Sequence, residues 1–267
     1  MARSLTLTPR LSPLARRRTS APVTTDLFDE KARVLRRERA LRRGPELFLH
    51  KRAFDDVMER LESVQRSFSR ALFVGCRDAA WRERLLARAS SVDEIEAGEL
   101  LRVEPGCYDL CVSIGALDTE NDLRRALLAM RFALKLDSLA VGALSGGDTL
   151  PVLRSAMRAA DEAMGGASPR VHPRVEPSAL AQLISDAGFA MPVVDVDRLD
   201  VSYRCFSDLV RDLRSMGATN ILSARSRQPL THAALDAAAR QFMSPAKDGR
   251  VTERFELLHF AAWTPNA

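Results

Sequence analysis

Cysteine is scarce in these 267 residues: four in all, at positions 76, 107, 111 and 205, and no two are spaced C-x-x-C. The four histidines, at 50, 172, 232 and 259, are scattered just as widely. A structural zinc site or a disulfide framework needs thiolates or imidazoles in close register, so no metal site is expected. The cysteines read as reduced residues in a reducing compartment. Aromatic residues make up only 6% of the chain, too few for a surface that stacks single-stranded bases. No apolar run approaches the roughly 20 residues of a bilayer-spanning helix, so no transmembrane segment is expected. Acidic residues are missing from positions 1–25, which hold five arginines. Such a composition suits a mitochondrial presequence. Prolines 9, 13 and 22 would interrupt its amphipathic helix, and a bacterial tail is the preferred alternative.

The charge that is present is unevenly placed. Positions 1–43 hold twelve Lys or Arg against four Asp or Glu, a net of +8, whereas the whole chain carries +5. The body is therefore mildly acidic, unlike a nucleic-acid groove with cations spread over a folded face, and no nucleic-acid partner is expected. The Arg-rich first helix reads as a solvated face in preference to a docking arm for an acidic protein or an anionic membrane.

From Asp26 the spacing is helical. Leu27, Val34 and Leu41 form a narrow stripe, Gly44-Pro45 is a stop and restart, and Leu47, Phe54, Val57, Met58, Leu61 and Val64 give a second helix a buried face. Apolar runs at Ala71–Val74, Tyr108–Ile114 and Leu139–Leu144 read as buried strands alternating with helices. One such helix is capped by Asp78 and another begins at Asp122. That alternation predicts an α/β fold with a mostly parallel sheet covered on both faces. Further helices are expected after an Asp148 cap, after a Ser178 cap, and over about 205–216 and 231–243. A last strand then follows the Lys247-Asp248-Gly249 turn.

Few residues stand out as chemistry. Gly75 follows a strand, where glycine lets backbone approach a phosphate or nucleotide edge, and it is equally a plain turn glycine. "GALSG" around Ser145 is not the G-x-S-x-G nucleophile elbow, because the serine comes one place late. The "SGGDT" turn, Ser145–Thr149, follows a buried strand at the sheet edge where open α/β folds bind ligands. His172 is the one histidine in a loop beside it.

Larger blocks carry a resemblance. "ALFVGC", "CYDLCVSIGALDTENDLRRALLAMRFALK", "GALSGGDTLPVLRSAM", "SPRVHP" and "DLVRDLRSMGATNILSAR" occur in that order. From about Leu27 to Trp263 the chain resembles the S-adenosylmethionine-dependent methyltransferase-like family of complex I assembly factors. It is also similar to the malonyl carrier-protein methyltransferases of biotin synthesis. The resemblance implies a class I methyltransferase (Rossmann-like) fold with an antiparallel last strand. Together with the composition and periodicity above, this gives a disordered or targeting tail at 1–25, an N-terminal helical flank at 26–66 and a methyltransferase-like domain at 67–267, with helical insertions at about 148–190 and 205–243. It implies S-adenosylmethionine as cofactor, held at Gly75 and Cys76. Gly146, Gly147, Asp148, Thr149, His172 and Tyr203 would lie on the substrate side. The implied partner is a protein or carrier-protein substrate, or an assembly partner, in the bacterial cytoplasm or alternatively the mitochondrial matrix.

Departures from the family pattern cluster at the cofactor end. Phe73 stands where its first motif has an acid, and Arg77 and Ala79 stand where it has glycines. The stretch between Cys76 and Tyr108 is expected to be too short for the usual helix, strand and helix, removing the ribose-binding acid. Both a methyltransferase-like enzyme and a non-catalytic scaffold that keeps the fold therefore remain open.

Overall fold

The computed structural model describes residues 26–266, so the reading of positions 1–25 lies outside the described residues. Helix α1 (Glu30–Arg43) starts where the Asp29 carboxylate accepts the Ala32 N–H and ends at Gly44. Helix α2 (Phe48–Ser63) buries Phe54, Val57, Met58 and Leu61 along one face, the i, i+3, i+4 spacing of an amphipathic helix. Pro45 stands ahead of α2 and not in its first turn.

Six strands form one sheet in the order β2-β1-β3-β4-β6-β5. They are β1 (Ala71–Val74), β2 (Val92–Ile95), β3 (Tyr108–Ile114), β4 (Leu134–Ser145), β5 (Ala190–Tyr203) and β6 (Val251–Trp263). The first four in chain order pair in parallel, and β6 runs antiparallel to both β4 and β5. This is the mostly parallel arrangement with a reversed last strand that the family resemblance implies. Every residue of β1 and β3 is buried, as parallel strands covered on both faces require. Edge strand β5 alternates in exposure and carries Asp195, Asp197, Arg198 and Asp200, charges that discourage edge pairing.

One expectation is corrected here. The segment between Cys76 and Tyr108 does hold a helix and a strand. Asp78 caps α3 (Ala79–Leu85) by accepting the Ala80 N–H, β2 pairs with β1, and a 3-10 turn at Ala97–Arg102 returns the chain to β3. A seven-residue helix and a 3-10 turn in place of a second α-helix make the crossovers fit.

The sheet is covered on two sides. Helices α4 (Leu123–Ala133), capped by Asp122, and α6 (Pro177–Asp186) pack Leu127, Met130, Leu180 and Ile184 against Leu72, Cys111, Leu144 and Phe260. On the opposite face α2 and α3 pack against Phe73, Leu110 and Val141. There Phe54 stacks on Phe73 and Trp81, with ring centroids 5.8 and 5.2 Å apart. A third cluster joins α5 (Pro151–Met164), α7 (Phe206–Ser215) and α8 (His232–Met243) to Tyr203 and Phe255 at the ends of β5 and β6. Helix α6, within the stretch expected as a helical insertion, packs on the sheet.

Two caps are also corrected. Asp148 does not cap α5, which begins after Leu150 in a left-handed conformation (φ 62°). The Val152 and Leu153 N–H groups donate instead to the Glu253 carboxylate on β6, at 3.1 and 2.7 Å. A buried acceptor from the neighbouring strand takes the position a local cap would hold. Helix α6 starts at Pro177 behind Glu176, leaving Ser178 in its first turn.

Candidate functional site: an arginine-lined cleft at the strand ends

The carboxyl ends of β3 and β4 and the turn after β1 face a cavity of about 90 Å³, roofed by α1, α2 and the segment after α7. Open α/β sheets bind ligands at this edge. Arg33 and Arg37 reach it from α1, His50 from α2, Arg77 from the turn after β1, and Asp118 from the turn after β3.

Three of the arginines lining it are paired. Arg33 donates to Glu120 at 2.7 Å, Arg174 meets Asp118 at 3.3 Å, and Arg37 bonds Glu96. Arg77 has no carboxylate partner among the described residues. Its Nη1 donates to the Met216 carbonyl at 3.4 Å and its buried Nε finds no acceptor. Burial, with Arg37 adding to it and Asp118 and Glu96 opposing, lowers Arg77 to about 10, so it stays charged at neutral pH. An isolated buried cation is costly.

Burial pushes the Asp118 carboxyl up, but Arg174 and the Ser145 hydrogen bonds outweigh it and hold Asp118 below its ordinary range. Its Oδ1 accepts the Ser145 N–H at 2.7 Å, while Oδ2 has no partner. His50 is pushed down to about 3 by burial and then by Arg77. Its ring lies where a Cβ on Gly115 would stand. Both groups are therefore fixed in charge at neutral pH, histidine neutral and aspartate ionised.

The residues singled out from the sequence divide in two. Thr149 and His172 line the cleft. Thr149 is buried, its Oγ1 donating to the Glu256 carbonyl at 3.1 Å and accepting the Glu256 N–H at 3.0 Å. His172 accepts the Ile221 N–H at Nε2, 3.0 Å away, so the proton resides on Nδ1, and its ring meets Phe28 edge-on at 5.3 Å.

The others are outside the lining. Gly75 (φ 77°) is a turn glycine whose added Cβ would run into Ala116. The Cys76 thiol lies 3.3 Å from the Asp78 carbonyl and is raised by burial to about 11. Gly146 and Gly147 let the turn after β4 pass close to Glu256 and Glu176. Asp148 pairs with Arg254 at 3.2 Å on an open flank. Tyr203 is buried among the helices of the third cluster, its hydroxyl raised by burial and by Asp212.

Sequence reasoning passed over Arg33, Arg37, His50, Asp118 and Arg174. For His50 a signal existed: it lies one helical turn before Ala53 and Phe54, on the buried face of α2.

Of the residues that the resemblance puts at S-adenosylmethionine, Gly75 and Cys76 stand outside this lining, whereas Arg77 faces it. Arg77 extends into the space. Glu96 follows β2, where the family places its ribose-binding acid; its half-exposed carboxylate pairs with Arg37 and caps the Ala97–Arg102 turn. Among the described residues no three His, Cys, Asp or Glu side chains converge as metal ligands would, and no helix is long and apolar enough to cross a membrane.

No family model matches the chain. It is 30% identical over 243 residues to the arginine-hydroxylase NDUFAF5, mitochondrial, of Danio rerio, covering 82% of this chain and 76% of that protein. The Mus musculus protein of the same name is 28% identical over 273 residues, covering 91% and 79%. A malonyl-[acyl-carrier protein] O-methyltransferase of Laribacter hongkongensis is 30% identical over 184 residues, covering 69% and 60%. Among solved structures, the YcgJ protein of Bacillus subtilis aligns with a TM-score of 0.51 at 10% identity, over 79% of this chain and 98% of that one. A Burkholderia thailandensis 1,6-didemethyltoxoflavin-N1-methyltransferase aligns with a TM-score of 0.50 at 14% identity, over 92% and 93%. At such identities these two share the fold alone.

Proposed function

This chain belongs to the family of NDUFAF5, a methyltransferase-like complex I assembly factor, and from that premise we propose that it acts on a protein partner during assembly while its cofactor cleft stays closed. The observation that carries the reading is Arg77, a buried cation on the cofactor turn that forms no ion pair among the described residues and whose Nε finds no acceptor. The fold then serves as a frame that presents surface to the partner. Either compartment expected from the sequence suits this role, since the vertebrate relatives are named mitochondrial and the malonyl relatives are bacterial.

A second reading, an S-adenosylmethionine-dependent enzyme acting on a protein or carrier-bound substrate, is favoured by Glu96 and Gly75. The first is an acid at the end of β2, the second an intact glycine turn after β1. Binding would require the Arg37–Glu96 pair to open and Arg77 to leave the cleft. On this reading a protein arginine is the substrate to try first, given what the NDUFAF5 relatives are named for.

Calorimetry of the full chain with S-adenosylmethionine and S-adenosylhomocysteine separates the two. The closed-cleft reading expects no saturable heat up to millimolar ligand. Saturable binding near micromolar, about 4 kcal/mol tighter than that limit, would establish the enzyme reading in its place.

A further inference from the structure

A second and larger concavity, of about 800 Å³, adjoins the cleft and shares Thr149, His172, Arg174 and Leu213 with it. Its walls come from α1, α5, α7, the start of α8 and the segment 218–230. Nine of the residues lining it are arginine and none is aspartate or glutamate.

Five of the nine have partners. Arg170 pairs with Asp161, Arg174 with Asp118, and Arg225 and Arg227 with Asp29, while Arg154 donates to the carbonyls of Thr149 and His172. Arg36, Arg39, Arg43 and Arg214 form no ion pair among the described residues. The buried Nε of Arg36 has no acceptor at all. Burial and the charges of Arg39, Arg225 and Arg214 lower its affinity for a proton. Positions 1–25 hold no acid, so they have no carboxylate side chain to neutralise the set. Like charges left facing one another repel, and an incoming anion relieves that repulsion.

The spacing says what kind of anion. Arg36, Arg39 and Arg43 recur at i, i+3 and i+7, which spreads three guanidinium groups over about 10 Å of α1, with Arg214 on α7. A single phosphate cannot meet them all, whereas carboxylates spaced along a chain can. Between the cations the lining carries apolar side chains, Leu35, Leu153, Met157, Val210 and Leu235, beside the polar Thr219, Asn220 and Ser226. Leu35 and Leu235 are each 40% exposed, so apolar surface is left for a ligand to cover.

We propose that this groove docks an acidic segment of the partner protein, carboxylates interleaved with apolar side chains, and leads it to the cleft. The docking rests on the protein-partner reading above and replaces the expectation that the Arg-rich helix is merely a solvated face.

The test uses the full chain and a fluorescein-labelled soluble peptide of Glu and Leu residues, followed by anisotropy. Runs at about 0.01 M and about 0.15 M salt bracket Debye lengths of about 30 and about 8 Å. Wild-type protein should bind the peptide, more weakly at the higher salt, and should not bind its Glu-to-Gln counterpart. The double variant Arg39→Glu/Arg43→Glu should lose about tenfold in affinity or more. Arg102→Glu/Arg124→Glu makes the same net-charge change elsewhere on the surface, and it should change affinity by less than about twofold. Should the α1 variant fail to fold by circular dichroism, Arg214→Glu alone carries the comparison.

Absence of peptide binding by the wild type, or equal losses in the two double variants, would overturn the groove. So would capture of the protein by phosphatidylglycerol vesicles in place of the peptide. The calorimetry above is indifferent to these outcomes, so the groove and the closed cleft fail separately.

Discussion

Lowering the pH from 7 toward 4 should weaken the fold through His172, with a size that follows from its surroundings. The buried imidazole, repelled by Arg174 and Arg154 and only partly compensated by Asp118, is held at about 3, against an ordinary value of 6.5 in the unfolded chain. Between those values the unfolded state binds a proton that the native state refuses. Stability is thus fully present above pH 6.5 and falls as the pH drops toward 3, by about 1.4 kcal/mol per pH unit. The molecular reason is local. Nε2 accepts the Ile221 N–H at 3.0 Å, and a proton there would set two donors against each other. His50, held at about 3, contributes with the same sign, so the informative quantity is a difference between proteins. His172→Gln retains an acceptor but cannot titrate. In urea denaturation between about pH 6 and about pH 4, its stability should fall less steeply than that of the wild type, by about 1.4 kcal/mol per unit. His172→Leu should instead cost about 1–3 kcal/mol at every pH, because it orphans a buried N–H. Parallel pH slopes for wild type and His172→Gln would refute the placement of the neutral ring.

Two further outcomes follow from buried charge. Glu253→Gln points an amide NH₂ at the start of α5, where both carboxylate oxygens now accept N–H groups. It should cost about 1–3 kcal/mol, read as a fall of roughly 2–4 °C in melting midpoint per kcal/mol; an unchanged midpoint would remove Glu253 as the cap. Arg77→Met takes away a charge without an ion pair, so chemical denaturation should find it neutral or more stable. A loss above about 2 kcal/mol would mean that the guanidinium has a partner, and would remove the basis of the closed-cleft reading.

What could be read from the sequence was what depends on neighbours along the chain. Strands β1 and β3 are unbroken apolar runs, α2 has its periodic face, and Asp78 and Asp122 cap the helices that follow them. Strand β2, "VDEI", gives only a weak strand signal because it is four residues long and half acidic. An edge position, hydrogen-bonded on one side only, tolerates that composition. Asp148 carries the local signal of a cap, but the acceptor that takes its place, Glu253, comes from about a hundred residues away. Composition could not divide the arginines of α1, since the division is angular. Arg33 and Arg37, one turn apart, face the cleft, whereas Arg36, Arg39 and Arg43 face the groove. The cleft itself draws on positions 33, 37, 50, 77, 118, 172 and 174, which only the tertiary fold brings together.

Strand β6 comes last in chain order yet sits inside the sheet, between β4 and β5. During synthesis on the ribosome, β5 emerges before the strand it must pair with, and the nascent sheet waits with β4 uncovered until Trp263 is made. Glu253 and Glu256, which hold the start of α5 and the Thr149 turn, arrive in the same final stretch. Any truncation before Val251 would therefore remove an interior strand together with Glu253 and Glu256.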